Sequence, residues 1–272
     1  MAGGTGRLGT PVVKELVRQG ELVRVLTRAG ARAEHLQAIA TDIVVGDVRQ
    51  PETLGAALAG VRTVVSAVQG FAARGGGTPD SVDRKGNANL VAAAAAEGAD
   101  VVLMSVVGAA PDSRLVTAQA KFDAEQGLKA SGVPWTIVRA TPFLETWAEF
   151  LAVGILFGRG KNPINFVAVD DVAAVVCQAV VDPSFRGETI EIAGPRDMTL
   201  NELASLMKEL KLLHRPIHHV PRWLLKATSP VDRRAANALA IDSADMTAVA
   251  SPRPEGVPLT EPRAALRRLR RD

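Results

Sequence analysis

Residues 3–9 read Gly3-Gly4-Thr5-Gly6-Arg7-Leu8-Gly9, and this stretch decides the fold. Gly3, Gly6 and Gly9 give a G-x-x-G-x-x-G spacing, and Gly4, Gly6 and Gly9 also fit G-x-G-x-x-G. Beyond it, Leu8, Val12, Val13, Leu16 and Val17 recur on one helical face, with Pro11 tolerated in the opening turn. A glycine loop that opens a helix lets the backbone approach an anion closely, and the helix start offers unpaired N–H groups to it. The next apolar run, residues 22–27, follows some 20 residues after the loop, as a pyrophosphate-binding βαβ unit requires.

Outward from the loop, short β-branched runs at 22–27, 43–45, 63–68, 101–105 and 135–139 alternate with alanine-rich helical stretches at 81–97 and 117–131. Continuous apolar runs suit strands covered on both faces, so the expectation is a Rossmann-type doubly wound parallel α/β sheet. Only Met1 and Ala2 precede the glycine loop, so the central first strand is expected to be truncated and its two neighbours left unpaired. After Arg139 the rhythm changes. Asp170 and Asp171 precede an apolar helix whose free N–H groups they are expected to satisfy. Thr199 and Glu202 form a capping box for a helix at 200–210, after a strand at 189–192. Residues 1–140 are read as the nucleotide-binding half and 141–272 as a smaller substrate or lid region packed on it.

Composition narrows the function classes. At 272 residues the chain can bury a large core. Its single cysteine, Cys177, allows no intramolecular disulfide and reads as core. The net charge of +3 resides in residues 261–272, with arginines at 263, 267, 268, 270 and 271; residues 1–260 are neutral. That tail reads as a terminal helix docked by Leu266 and Leu269 with its arginines in water; attraction to an anionic surface is the sharper alternative. A nucleic-acid binder shows a broader basic face, so no nucleic-acid partner is expected. No run reaches the ~18–20 apolar residues of a membrane span, and the glycine-rich start is not a signal peptide; a soluble cytoplasmic protein is expected. His218-His219 lacks further ligands at metal spacing, so no metal is expected.

At the end of the second strand an NAD-type site carries an acidic residue for the ribose 2′-hydroxyl. Here that position reads Thr27-Arg28, and a guanidinium suits a 2′-phosphate, with Arg7 as a second cation. The expected cofactor is NADP rather than NAD; the alternative is that Arg28 is a solvated loop charge.

Together with the glycine loop, Gly46-Asp47-Val48, Val133-Pro134-Trp135-Thr136-Ile137-Val138-Arg139, the stretch from Phe166 to Ala173 and Ile192-Ala193-Gly194-Pro195 resemble the atypical short-chain dehydrogenase/reductases, in particular their NmrA-like, NAD(P)H-binding branch. The likeness runs from residue 1 to about 210. It implies that Gly3, Thr5, Gly6, Arg7, Leu8 and Gly9 cradle the pyrophosphate and that Asp47 and Val48 contact the adenine. It also implies that Ala67 and Val68 line the nicotinamide-side ribose, and that residues 140–143, ending in Phe143, pass near the nicotinamide.

The wider family uses a serine, a tyrosine and a lysine, the last two four residues apart. This chain has no tyrosine. The matching positions are Thr117 and Lys121, with Ser105 as the counterpart of the serine. A threonine hydroxyl is too weak an acid to relay a proton, so the family's tyrosine mechanism is not expected. Lys121 is implied to orient the nicotinamide ribose, or is a surface lysine. Ser105 is a catalytic candidate, or satisfies the end of its strand. His214, His218 and His219 are alternative proton donors. Two functions remain. One is an oxidoreductase passing hydride to a quinone-like or otherwise activated small-molecule acceptor, with Phe143, Leu144, Trp147, Phe150 and Phe157 as its apolar pocket or as plain core. The other is a non-catalytic NAD(P) sensor that regulates a protein partner. An epimerase- or dehydratase-like enzyme ranks behind both, because that chemistry needs the same tyrosine.

Overall fold

A computed structural model of the chain describes residues 1–28, 33–40, 42–70, 76–213, 215–247 and 257–269. The strands are β1 (Arg24–Thr27), β2 (Asp42–Val45), β3 (Thr63–Ser66), β4 (Asp100–Val106), β5 (Trp135–Ala140), β6 (Ile155–Phe157), β7 (Pro163–Asn165), β8 (Thr189–Ile192), β9 (Asp197–Thr199) and β10 (His218–Val220). The α-helices are α1 (Gly9–Arg18), α2 (Glu34–Gln37), α3 (Leu54–Leu58), α4 (Lys85–Glu97), α5 (Val116–Lys129), α6 (Leu144–Ala152), α7 (Val169–Val181), α8 (Leu200–Glu209), α9 (Arg222–Thr228), α10 (Arg233–Ile241) and α11 (Pro262–Arg268). They divide into two compact units, one built chiefly from Met1–Arg139 and Val172–Glu191, the other from Ala140–Asp171, Ile192–Pro252 and Pro258–Asp272.

The first unit is a Rossmann-type α/β unit. β1 pairs in parallel with β2, and β3, β4, β5 and β8 follow one another in a second ladder whose β3–β4 pair is also parallel. Its core packs Leu54, Val64, Leu90, Val101, Leu103, Leu128 and Ile137, all buried. The β-branched runs form the strands, and the apolar face of α1 buries Val12, Val13 and Leu16. The strands on either side of the glycine loop, β1 and β3, are not left unpaired, which corrects the expectation. Ala2 bridges Leu26 of β1 and Ser66 of β3, both in parallel. Its N–H donates to Val65 O at 2.9 Å and its carbonyl accepts from Ala67 N at 3.0 Å, while Met1 O accepts from Leu26 N at 3.0 Å. Two residues thus stand at the centre of the sheet. The Met1 amine donates to Arg24 O at 2.7 Å, and a cavity of about 20 Å³ lies beside it, lined by Leu26, Ala57, Leu58 and Val64 among others. Burial, helped by the Arg24 charge, lowers this amine to a pKa of about 5.

One predicted helix divides in two. Residues Pro79–Arg84 form a π-helical turn, capped by Thr78, whose side chain accepts from Ser81 N, and α4 continues from Lys85. The wider turn brings Asp83 into the interior, where it is fully buried.

The second unit pairs β7 with β9 antiparallel and β6 with β10 in parallel. Leu156, Ile164, Phe166, Leu203 and Leu266 fill its core. Thr199 caps α8 through the anticipated box with Glu202. The first N–H of α7 is satisfied differently from expectation. Val169 N donates to Glu145 at 3.1 and 3.2 Å, whereas Asp171 accepts from Thr260 N and Oγ1, and Asp170 pairs with Arg268 at 2.6 Å. These two carboxylates hold the segment leading into α11, which buries Ala265 and Leu266. Arg263, Arg267 and Arg268 are exposed, Arg263 pairing at the surface with Glu209 and Arg268 with Asp170; Arg270 and Arg271 lie outside the described residues. No described helix is long and apolar enough to cross a membrane.

Candidate dinucleotide-binding site

The glycine loop is a tight backbone cradle. Gly3 has φ +81°, and a Cβ there would sit 2.7 Å from Ala67 O. A Cβ on Gly9 would collide with the Gly3 carbonyl, so the first turn of α1 can lie against the loop only without one. Gly6 N donates to Gly3 O at 3.0 Å and Thr10 N to Gly6 O at 3.0 Å, closing the loop onto the helix. Thr5 and Arg7 are half-buried, and Leu8 is buried beneath them.

Around this loop stand the C-terminal ends of the strands. Thr27, the last residue of β1, is buried, and Arg28 beyond it is exposed. No carboxylate occupies either position. On α2, unremarked by sequence reasoning, His35 Nε2 lies 3.2 Å from Thr10 Oγ1. Beyond β2, Asp47 pairs with Arg49 at 2.5 Å. The hydrogen bond from Arg49, opposed by burial and helped by the Arg28 charge, holds the Asp47 carboxyl below the usual range. Val48 is buried against Gly86, and its carbonyl accepts from Asn89 Nδ2 at 2.8 Å. Beyond β3, Ala67 and Val68 are half-buried.

Lys121 is not a surface lysine; it is 4% exposed. Its Nζ donates to Val68 O at 2.9 Å and pairs with Asp83 Oδ1 at 3.0 Å. Thr117 sits one turn earlier on α5, on the same face and half-buried. Ser105 is buried too, and its hydroxyl donates to Glu125 Oε1 at 2.5 Å. Glu125 also takes two bonds from Arg139, from Nε at 2.9 Å and Nη2 at 2.6 Å. Bonding and attraction from Glu125 raise the Arg139 pKa against the cost of burial. Asp83 and Glu125 escaped sequence reasoning; the signal available was their place as carboxylates on otherwise apolar helical faces.

The remaining candidates lie in the second unit. Phe143 precedes α6, bridges Val167 through its backbone, and is half-buried. Leu144 is core. Trp147 packs edge-on to Phe150 at 6.0 Å and tilted against Phe166 at 6.1 Å. Phe150 and Phe157 are exposed. His218 and His219 lie on β10, His219 Nδ1 3.1 Å from Gly158 O; His214 lies outside the described residues. Among the described residues no three His, Cys, Asp or Glu gather as a metal site.

A family model described as NAD(P)H-binding matches residues 3–183, from the glycine loop through α7. The chain belongs to this NAD(P)H-binding family. The resemblance to atypical short-chain dehydrogenase/reductases therefore stands. Among curated relatives of the family, the NAD(P)H azoreductase of Xenophilus azovorans is 29% identical over 233 residues, covering 84% of this chain and 78% of that protein. The photosystem II assembly factor Ycf39 of Synechocystis is 28% identical over 233 residues, covering 83% and 71%. Among solved structures, the NADPH-dependent quinone oxidoreductase QOR2 of Escherichia coli, complexed with NADPH, matches with TM-score 0.75 and 21% identity over 98% of both chains. That likeness is one of fold. The cradle formed by Gly3 and Gly9, which a Cβ would fill, fits a dinucleotide pyrophosphate.

Proposed function

We propose that the chain is an NADP(H)-dependent oxidoreductase that passes hydride to a quinone-like, azo or otherwise activated small-molecule acceptor without a catalytic tyrosine. The observation that carries this reading is Thr117 one helical turn before Lys121, on a dinucleotide cradle otherwise complete. When bound, the cofactor supplies the hydride. An acceptor of this class takes its proton from water after receiving the two electrons, so no phenol is required. The chain's own part is to bind and orient. Gly3, Thr5, Gly6, Arg7, Leu8 and Gly9 receive the pyrophosphate, Arg28 receives the 2′-phosphate, and Asp47 and Val48 flank the adenine. Ala67, Val68 and Lys121 hold the second ribose. The preference for NADP is supported by Thr27-Arg28 standing where NAD-binding sites place a carboxylate. The acceptor class is supported by the similarity to the azoreductase.

The test is steady-state oxidation of NADPH with a panel of quinones and azo dyes. Acceptor-dependent turnover is expected, and none across the panel refutes the enzyme.

A second reading, a nucleotide sensor acting on a protein partner, is favoured by one observation. The counterparts of the family's serine and lysine are both bound to buried carboxylates, Glu125 and Asp83. The similarity to an assembly factor points the same way. Calorimetry with oxidised and reduced NAD and NADP tests it, and similar weak binding of all four refutes the sensor. A sensor binds the four forms with different affinities and shows no turnover.

A further inference from the structure

We propose that Asp83 is a positioning residue that acts through Lys121 to fix the loop receiving the cofactor's second nucleoside. The inference rests on the reading of this cradle as an NADP(H) site. In a doubly wound sheet the pyrophosphate lies at the glycine loop, with the adenosine towards the strand that ends in Arg28. Ala67, whose carbonyl faces Gly3, stands on the other side, at the end of β3. Residues 67–70 therefore face the second nucleoside.

A closed set of buried bonds holds that segment. Asp83, fully buried, accepts the Gly70 N–H at 2.7 Å through Oδ2 and faces Lys121 Nζ at 3.0 Å through Oδ1. Lys121 returns to the segment by donating to Val68 O. Asn87 Nδ2 donates to the Asp83 carbonyl at 2.7 Å, and Ser66 Oγ donates to Asn87 Oδ1 at 2.6 Å, joining the network to the last residue of β3. A Cβ on Gly70 would collide with the Thr78 carbonyl, so the segment is pressed against the cap of the π-helical turn. Neither charge can be buried alone, and each requires the other. One of the three ammonium donors is committed to Val68 O, and the ion pair with Asp83 Oδ1 at 3.0 Å fixes where the ammonium stands, leaving a donor for a ribose hydroxyl. Asp83 thus sets where that donor stands, without touching the cofactor.

The experiment measures dissociation constants of NADPH and of 2′,5′-ADP, which lacks the nicotinamide ribose, for the full chain and for Asp83→Asn, Lys121→Met and the double variant. For Asp83→Asn the NADPH constant should rise about tenfold, the worth of one charge-assisted bond, while 2′,5′-ADP is unchanged. The double variant should bind NADPH no more weakly than Lys121→Met, since asparagine keeps an oxygen to accept from Gly70 N and loses only the charge that faces the lysine. Because it removes both charges, it keeps the test alive if Asp83→Asn does not fold; in that case NADPH bound as by Lys121→Met, with 2′,5′-ADP bound as by the parent, supports the proposal, and weaker NADPH binding than Lys121→Met overturns it. Equal weakening of both ligands, unchanged NADPH binding, or effects that simply multiply overturn it. If the parent binds neither ligand, the NADP(H) reading falls and takes this inference with it.

Discussion

Ser105 donates its hydroxyl to Glu125 at 2.5 Å, and Glu125 is at the same moment the buried partner of Arg139. Glu125 joins the end of β4 to β5 from its position on α5. Truncating it leaves Arg139 half-buried without its main partner. Glu125→Ala should lower unfolding free energy by about 3–5 kcal/mol, and Ser105→Ala by about 1 kcal/mol, both read by urea titration. A loss of turnover in Ser105→Ala at unchanged stability would instead place the hydroxyl in the chemistry.

Arg28 is exposed just beyond β1, and its charge helps hold the Asp47 carboxyl below the usual range. Arg28→Ala should weaken NADPH about tenfold, near 1.4 kcal/mol, and leave NADH unchanged. Fluorescence titration with the two reduced cofactors checks this. Equal weakening of both would remove the 2′-phosphate from its role.

Thr117 lies on the face of Lys121 but has nothing to offer as an acid. Thr117→Val keeps its shape and removes the hydroxyl, so NADPH oxidation should stay within about twofold of the parent. A larger drop in kcat would show the hydroxyl at work.

In the chain that begins at Met1, the terminal amine has its pKa lowered from 8.0 to about 5 by burial. The unfolded chain binds this proton below pH 8, and the folded one only below about pH 5. Stability therefore rises with pH between those limits, by about 4 kcal/mol at most. Acetylating the amine should abolish that slope in denaturation curves taken from pH 5 to 8.

The glycine loop, the places of the strands along the chain and the Thr199 cap were legible because each is written within a few neighbouring residues. What could not be read joins distant positions. Asp83 meets Lys121 only because a π-helical turn, capped from Thr78, rotates it inward, and nothing in its neighbours announces that turn. Asp170 and Asp171 look like helix-start carboxylates, and their partners Arg268 and Thr260 stand 98 and 89 residues further on, respectively. Ser105 was recognisable by position, but its acceptor Glu125 was not.

Cys177 is buried on α7 with its sulfur 3.8 Å from Val12 O, and burial pushes its thiol up to about 12. At neutral pH almost none of it is thiolate, the form that reacts with alkylating labels. A cysteine placed on an exposed position is therefore the sole readily labelled sulfur of the folded chain. Dyes or spin labels can then be attached one site at a time, without first removing the native residue.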